Sequence, residues 1–122
     1  MGQMVPVVDD DMGMQLTLAG ILEDAGYEVA VAGDGIEALT KLTDVRPAVV
    51  VLDLAMPRMD GFGFAAELER RGLREGLPIV VLTANGRAPE QAARIGADGY
   101  LTKPFVLATL LAEVRRIARP QT

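Results

Sequence analysis

Two short runs, Ala48–Leu52 (AVVVL) and Ile79–Leu82 (IVVL), are apolar at every position. A strand with one face in water alternates apolar and polar side chains, because successive residues point to opposite faces. An unbroken, β-branched run therefore belongs to a strand covered on both faces. That happens mainly in parallel sheets whose crossover connections are helices. Between such runs, apolar residues recur at helical spacing. The pattern predicts β1 over Met4–Val8, then α1 with Met14, Leu18, Ile21, Leu22 and Ala25 inward and Gly26 as its stop. It continues with β2 over Tyr27–Val31 and α2 over Ile36–Asp44, with Ile36, Leu39 and Leu42 inward. Next come β3 over Ala48–Asp53 and α3 over Phe62–Arg71, with Phe64, Ala65 and Leu68 inward. After a GLREGLP loop, β4 is expected over Pro78–Thr83 and α4 over Pro89–Ile95, with Pro89 in the first turn. β5 over Gly99–Thr102 and α5 over Leu107–Arg119, with Leu110, Leu111, Val114 and Ile117 inward, complete the chain. Serial βα units predict an α/β domain with helices on both faces of a parallel sheet.

The chain's 122 residues, half of them apolar, are enough for one compact domain and its core. No apolar run approaches the ~20 residues needed to span a bilayer, and the N-terminus MGQMVPVV has no signal-peptide pattern. Cysteine and histidine are both absent. Disulfides, thiolate zinc sites and imidazole acid–base chemistry are thereby excluded. The net charge of −5 argues against direct nucleic-acid binding. Chemistry must come from carboxylates, hydroxyls, lysine and backbone.

In a parallel sheet all carboxyl ends of strands lie on one edge, where ligands bind. Val8 is followed by Asp9, Asp10 and Asp11, Leu52 by Asp53, Leu82 by Thr83, and Leu101 by Thr102 and Lys103. If β1 and β3 are neighbours, Asp9, Asp10 and Asp53 converge. Two carboxylates about 4 Å apart repel by roughly 4 kcal/mol at an effective dielectric near 20. Clustered carboxylates without imidazole or thiolate suit a hard divalent cation such as Mg²⁺. With a flanking hydroxyl and ammonium they form a phosphoryl-transfer constellation, in which a spare carboxylate is the nucleophile.

Four pieces stand in order: VVDDD (Val7–Asp11), VVVLDLAMPRMDGF (Val49–Phe62), PIVVLTA (Pro78–Ala84) and GADGYLTKPF (Gly96–Phe105). On these pieces the chain resembles the receiver domains of bacterial two-component response regulators, over about residues 4–118. The resemblance implies a flavodoxin-like (βα)5 three-layer sandwich, with strand order 2-1-3-4-5, and one receiver domain over residues 1–122. It implies that Asp53 is the phosphoacceptor. Asp10 binds Mg²⁺ (or Mn²⁺) directly, Asp9 holds it through water, and the backbone carbonyl of Ala55 adds a ligand. Thr83 and Lys103 contact the phosphoryl oxygens. Tyr100 turns inward as Thr83 moves, and Lys103–Pro104 is a cis peptide. The implied partners are a sensor histidine kinase or histidine phosphotransfer protein, and an output protein or domain reached through the α4–β5–α5 face. The implied setting is cytoplasmic, as a monomer or phosphorylation-dependent homodimer. The resemblance also implies that the domain is not an enzyme on other molecules and catalyses only its own phosphorylation and dephosphorylation.

Plainer roles compete with these. Asp9 and Asp10 could merely cap α1, and Asp11 reads as a first-turn acid favoured by the helix dipole. Thr83 could be an ordinary strand residue and Lys103 a solvated one. Met56–Pro57 and Asp60–Gly61 read as structural, shaping the turn into α3. Pro6 sits inside β1, an interior strand in this order, where proline lacks a ladder donor, so a bulge or a missing sheet bond is expected. Ala55 and Asn85 occupy positions that tune dephosphorylation in the family; Ala55 offers no group to position water. Val106 and Leu107 begin α5 where a polar cap is common. They either staple α5 to the core or form an apolar docking or dimer patch. Two rivals remain: a pseudo-receiver that binds without phosphorylation, and a Mg²⁺-dependent aspartyl-phosphate phosphatase. The latter commonly carries a second acid where this chain has Ala55. The chain ends soon after α5, which tips the expectation slightly toward a free-standing receiver over an excised domain.

Overall fold

The computed structural model describes residues 3–42, 46–84 and 86–118. Five strands and five helices alternate: β1 Met4–Val8, α1 Met12–Asp24, β2 Glu28–Ala32, α2 Gly35–Lys41, β3 Val50–Asp53, α3 Gly61–Arg70, β4 Ile79–Thr83, α4 Ala88–Ile95, β5 Gly99–Thr102 and α5 Leu107–Ile117. The strands form one sheet in the order β2-β1-β3-β4-β5, every neighbouring pair parallel. This is the flavodoxin-like topology expected from the sequence.

The continuous apolar runs behave as their pattern requires. Val50, Leu52, Ile79 and Val81 enter a core with Leu39, Phe64 and Leu68 of α2 and α3. Their neighbours Val49, Val51, Val80 and Leu82 enter the opposite core, with Leu18 and Leu22 of α1 and Leu110 and Val114 of α5. Each strand thus feeds two cores. A fully buried Val or Leu contributes about 1.5–3 kcal/mol relative to exposure, so these strand residues are a large part of the driving force for folding.

Several element edges move for local reasons. β2 starts one residue later than expected, because Tyr27 belongs to the end of α1. The N–H of Gly26, at φ 99°, donates to the carbonyl of Glu23, and that of Tyr27 to the carbonyl of Leu22. This pair of bonds is a Schellman cap, with the left-handed residue supplied by glycine. Ile36 is 43% exposed rather than inward, because α2 turns Gly35, Ala38 and Leu39 to the core. The expected ends of α2 at Asp44 and of α5 at Arg119 lie outside the described residues, as does Asn85.

Pro6 resolves into a local register slip. Its register with β2 is unbroken, pairing with Ala30 between Val5↔Val29 and Val7↔Val31. Against β3 the ladder covers only Val7↔Val51 and Val8↔Leu52. Carried backward, that register would set the N–H of Val49 opposite the carbonyl of Met4. Instead Ala48 donates there, at 2.8 Å. One extra β3 residue is therefore accommodated beside the missing proline donor, as in a β-bulge. The slip is confined to the start of β3, and the carboxyl ends of both strands stay in register.

Candidate functional site

Asp9 continues β1 beyond its last paired residue, its N–H donating to the carbonyl of Ala32 at 2.9 Å. Its side chain is fully buried. Oδ1 accepts the N–H of Asp11 at 2.9 Å and Oδ2 the ammonium of Lys103 at 3.1 Å. Gln15 donates from Nε2 to its carbonyl at 2.6 Å. Asp10 is exposed. Asp11 is the N-cap of α1, accepting the N–H of Met14 at 3.0 Å. The three consecutive acids therefore divide the work. Asp11 sits one position earlier than a first-turn acid and takes the capping role, which leaves Asp9 and Asp10 for the rim.

Asp53 ends β3 and is 5% exposed. Carboxylate oxygens of Asp9, Asp10 and Asp53 lie within 4.8 Å of one another. Lys103 reaches the cluster from beyond β5, with Nζ 3.1 Å from Asp9 Oδ2 and 3.5 Å from Asp53 Oδ1. Its backbone is pinned, since its N–H donates to the carbonyl of Thr83 at 2.8 Å, and the Lys103–Pro104 peptide is cis. Burial, reinforced by the charge of Asp9, pushes the Asp53 carboxyl above the ordinary aspartate range. Lys103 and a hydrogen bond from the backbone of Ala55 act against that rise. Burial also works against the charge on Lys103, but Asp53 and Asp9 outweigh it and hold the ammonium above its usual value. One ammonium faces three carboxylates, all donors are hard oxygens, and two of the acids are buried. The cluster fits a hard divalent cation.

The remaining expected residues divide. Thr83 ends β4, 5% exposed, and its hydroxyl donates to Oε1 of Gln91 at 3.0 Å. Tyr100 pairs with Val81 on the edge strand and is 42% exposed. Ala55 lies exposed in the loop after Asp53. Val106 and Leu107 do not act as a pair. Val106 is 68% exposed at the N-cap of α5, where no side chain caps the helix, whereas Leu107 packs against the α1–α5 core. The helical turn separates them, so only Leu107 staples α5 to the core.

Asp60 and Gly61 shape the turn into α3, as expected. Asp60 caps α3 by accepting the N–H of Gly63 at 2.8 Å. A Cβ at Gly61 would lie 2.8 Å from the carbonyl oxygen of Asp53. Three further contacts escaped the sequence reading. Asp34 caps α2 through Glu37 N–H at 2.9 Å, and its other oxygen takes Arg58 Nε at 2.7 Å. The same turn donates Gly35 N–H to the carbonyl of Met59 at 2.9 Å, so the loop after Asp53 is tied to the start of α2. Arg58 sits at φ 61°, the one non-glycine left-handed residue among those described. The capping half of this motif was readable as D-x-x-E in Asp34–Glu37. The ion pair across 24 residues and the Gln91 bond carried no local signal.

Known proteins resemble this chain in sequence and fold. A model of the response regulator receiver domain matches residues 5–115. The chain is similar to the response regulator MprA of Mycobacterium tuberculosis, at 45% identity over 115 residues, covering 93% of this chain and 49% of the relative. It thus spans about half the length of the curated relatives it matches. It is also similar to the structure of the Vibrio cholerae chemotaxis protein CheY4, with a TM-score of 0.86, 37% identity, and 96% and 99% of the two chains covered. The receiver domain of the sensor histidine kinase PA1611 from Pseudomonas aeruginosa gives a TM-score of 0.86 at 30% identity, covering 96% of this chain and 98% of its own. That domain is described with a magnesium ion coordinated in its active-site cleft. With the buried acids at the ends of β1 and β3 facing a lysine beyond β5, the chain belongs to the response regulator receiver domain family.

Proposed function

We propose that this domain is a phosphorylation switch of a two-component relay, with Asp53 as acceptor. The observation that carries the reading is the buried Asp9–Asp53–Lys103 cluster, with Asp10 at its open side. An oxygen of Asp53 attacks the phosphorus of a phosphohistidine on a donor protein. The O–P bond forms as the P–N bond breaks, and the electron pair leaves with the donor imidazole. Lys103 neutralises charge on the phosphoryl oxygens, and Thr83 donates a hydrogen bond to one of them. Mg²⁺, for which Mn²⁺ can substitute, would be held by Asp9, Asp10, Asp53 and the carbonyl of Ala55, and supplies further charge neutralisation on the transferring group. Hydrolysis returns inorganic phosphate and the free Asp53 carboxylate, so the only turnover is of the domain's own phosphoryl group. Thr83 motion and inward rotation of the exposed Tyr100 then bias the α4–β5–α5 face toward an output partner.

The donor approaches over the rim. Met12, Leu16 and Val106, exposed at 73%, 73% and 68%, stand on the first turns of α1 and the start of α5. Between the same two elements lies a groove of about 430 Å³ lined by Asp11, Gly13, Met14, Thr17, Pro104, Phe105 and Leu107. Intact mass after incubation with acetyl phosphate tests the reading. A labile phosphoryl adduct is expected with Mg²⁺, and none with chelator or in Asp53→Asn. A folded wild-type chain that never gains the adduct defeats the proposal and favours the binding module that works without phosphorylation.

A further inference from the structure

Thr83 is held by two different elements. Its carbonyl accepts the N–H of Lys103, tying its backbone to the end of β5, while its hydroxyl donates to Oε1 of Gln91 on α4 at 3.0 Å. Gln91 is half-buried, beside the inward-facing Ala92 and one turn after Ala88, so its side chain leaves the core-facing side of α4 toward the end of β4. The helix it belongs to is short, has no side-chain N-cap, and buries only Ala88 and Ala92. The Thr83–Gln91 bond is thus a side-chain tie between the first turn of this helix and the end of β4.

A hydroxyl carries one proton. It cannot be given in full to Gln91 and to a phosphoryl oxygen on Asp53 at the same time. We propose that Gln91 is a positioning residue, a latch that holds the Thr83 hydroxyl on α4 until the phosphoryl group competes it away. The inference rests on the receiver reading above and adds a named link between its site and α4. Breaking the Thr83–Gln91 bond frees the hydroxyl for the phosphoryl group and, in the same event, releases α4 from β4. The two bonds are mutually exclusive, so they are negatively coupled, and the coupling is reciprocal. Phosphoryl binding loosens α4, and loosening α4 favours phosphoryl binding.

The test is the affinity for beryllofluoride, a phosphoryl analogue, measured by calorimetry in saturating Mg²⁺ for wild type, Gln91→Ala and Gln91→Met. The Met variant retains side-chain bulk and removes the acceptor, which separates the bond from packing. Both variants are expected to bind the analogue about three- to tenfold more tightly, the factor equivalent to one hydrogen bond of ordinary net strength. Mg²⁺ affinity without the analogue stays unchanged. The gain must vanish when Gln91→Ala is added to Thr83→Ala, because the latch acts only through that hydroxyl. In wild type, amide exchange in α4 rises when the analogue binds; in Gln91→Met it is already raised without it. Equal or weaker analogue affinity in both folded variants overturns the latch, as does a gain that persists in the Thr83→Ala background. Wild type that binds Mg²⁺ but never the analogue defeats the receiver reading itself and the latch with it, an outcome distinct from the other two.

Discussion

Asp53 keeps its proton more tightly than a free aspartate, because it is buried and faces the charge of Asp9. Its folded-state value lies above its unfolded value, so between the two the native chain binds more protons than the unfolded one. Stability contributed by this group therefore falls as pH rises through that interval, and at neutral pH its charge destabilises the metal-free fold. Asp53→Asn is expected to raise the melting temperature at pH 7 without Mg²⁺ by roughly 3–5 °C, equivalent to on the order of 1 kcal/mol. The gain should shrink toward zero below about pH 4, near the unfolded aspartate value; calorimetric melts across pH read both. Lys103 has the same sense in a higher pH range, but here the protonated form that folding favours is the charged one. Its raised value means that its contribution is fully present below the unfolded lysine value and is lost as pH climbs through the folded one. Lys103→Met leaves two buried carboxylates without their ammonium and should cost about 2–3 kcal/mol in urea melts at pH 7. Asp9, Asp10, Asp53, Thr83 and Lys103 were legible in the sequence because each lies at or just beyond the carboxyl end of a strand, and parallel topology brings strand ends together. Gln91 and the Arg58–Asp34 pair were not, because both depend on side-chain directions that no strand-end or helical spacing encodes: one eight residues on across a loop, the other across 24 residues.

The helices are aimed by their first residues. Asp11 caps α1 and Asp60 caps α3, each by one side-chain bond to a backbone N–H. Asp11→Ala should lower stability by about 1 kcal/mol, while the protein still accepts a phosphoryl group at Asp53. That separation, read by urea melts beside intact mass, marks Asp11 as structural among three adjacent acids. Gly61 matters through close approach. An added Cβ would lie 2.8 Å from the carbonyl oxygen of Asp53 and 2.9 Å from Cα of Leu54, both backbone atoms that can yield only by moving the acceptor. Gly61→Ala should cost about 1–3 kcal/mol, the usual range for overpacking, and slow phosphorylation from acetyl phosphate in the same preparation. Element order and type were legible from periodicity alone. Edges were less so, because caps decide them: the Schellman pair at Gly26–Tyr27 takes a residue from β2, and the bulge beside Pro6 shortens β3. The missing donor of Pro6 announced that irregularity; only coordinates showed that β3 absorbs it.

The molecule places its two layers of helices around a sheet whose amino-proximal half is packing and whose carboxyl edge is charged. Three carboxylates against one ammonium make the metal-free rim repulsive, so a divalent cation that binds only the folded state should stabilise the whole domain. At a Mg²⁺ concentration a hundred times its dissociation constant the gain is about 2.7 kcal/mol, on the order of 10 °C in melting temperature. Chelator should reverse it, and Asp10→Ala should reduce it severely; thermal melts with and without Mg²⁺ read each case. No helix among the described residues is long and apolar enough to cross a membrane. On the proposed reading, the rim exists to put a phosphoryl group on one carboxylate. The most direct test of that reading is to phosphorylate the domain with acetyl phosphate and Mg²⁺, reduce the acyl phosphate with borohydride, and locate the altered residue by peptide mass spectrometry. The account predicts a single modified position, Asp53, converted to homoserine; modification at Asp9 or Asp10 instead, or at none of the three, would contradict it.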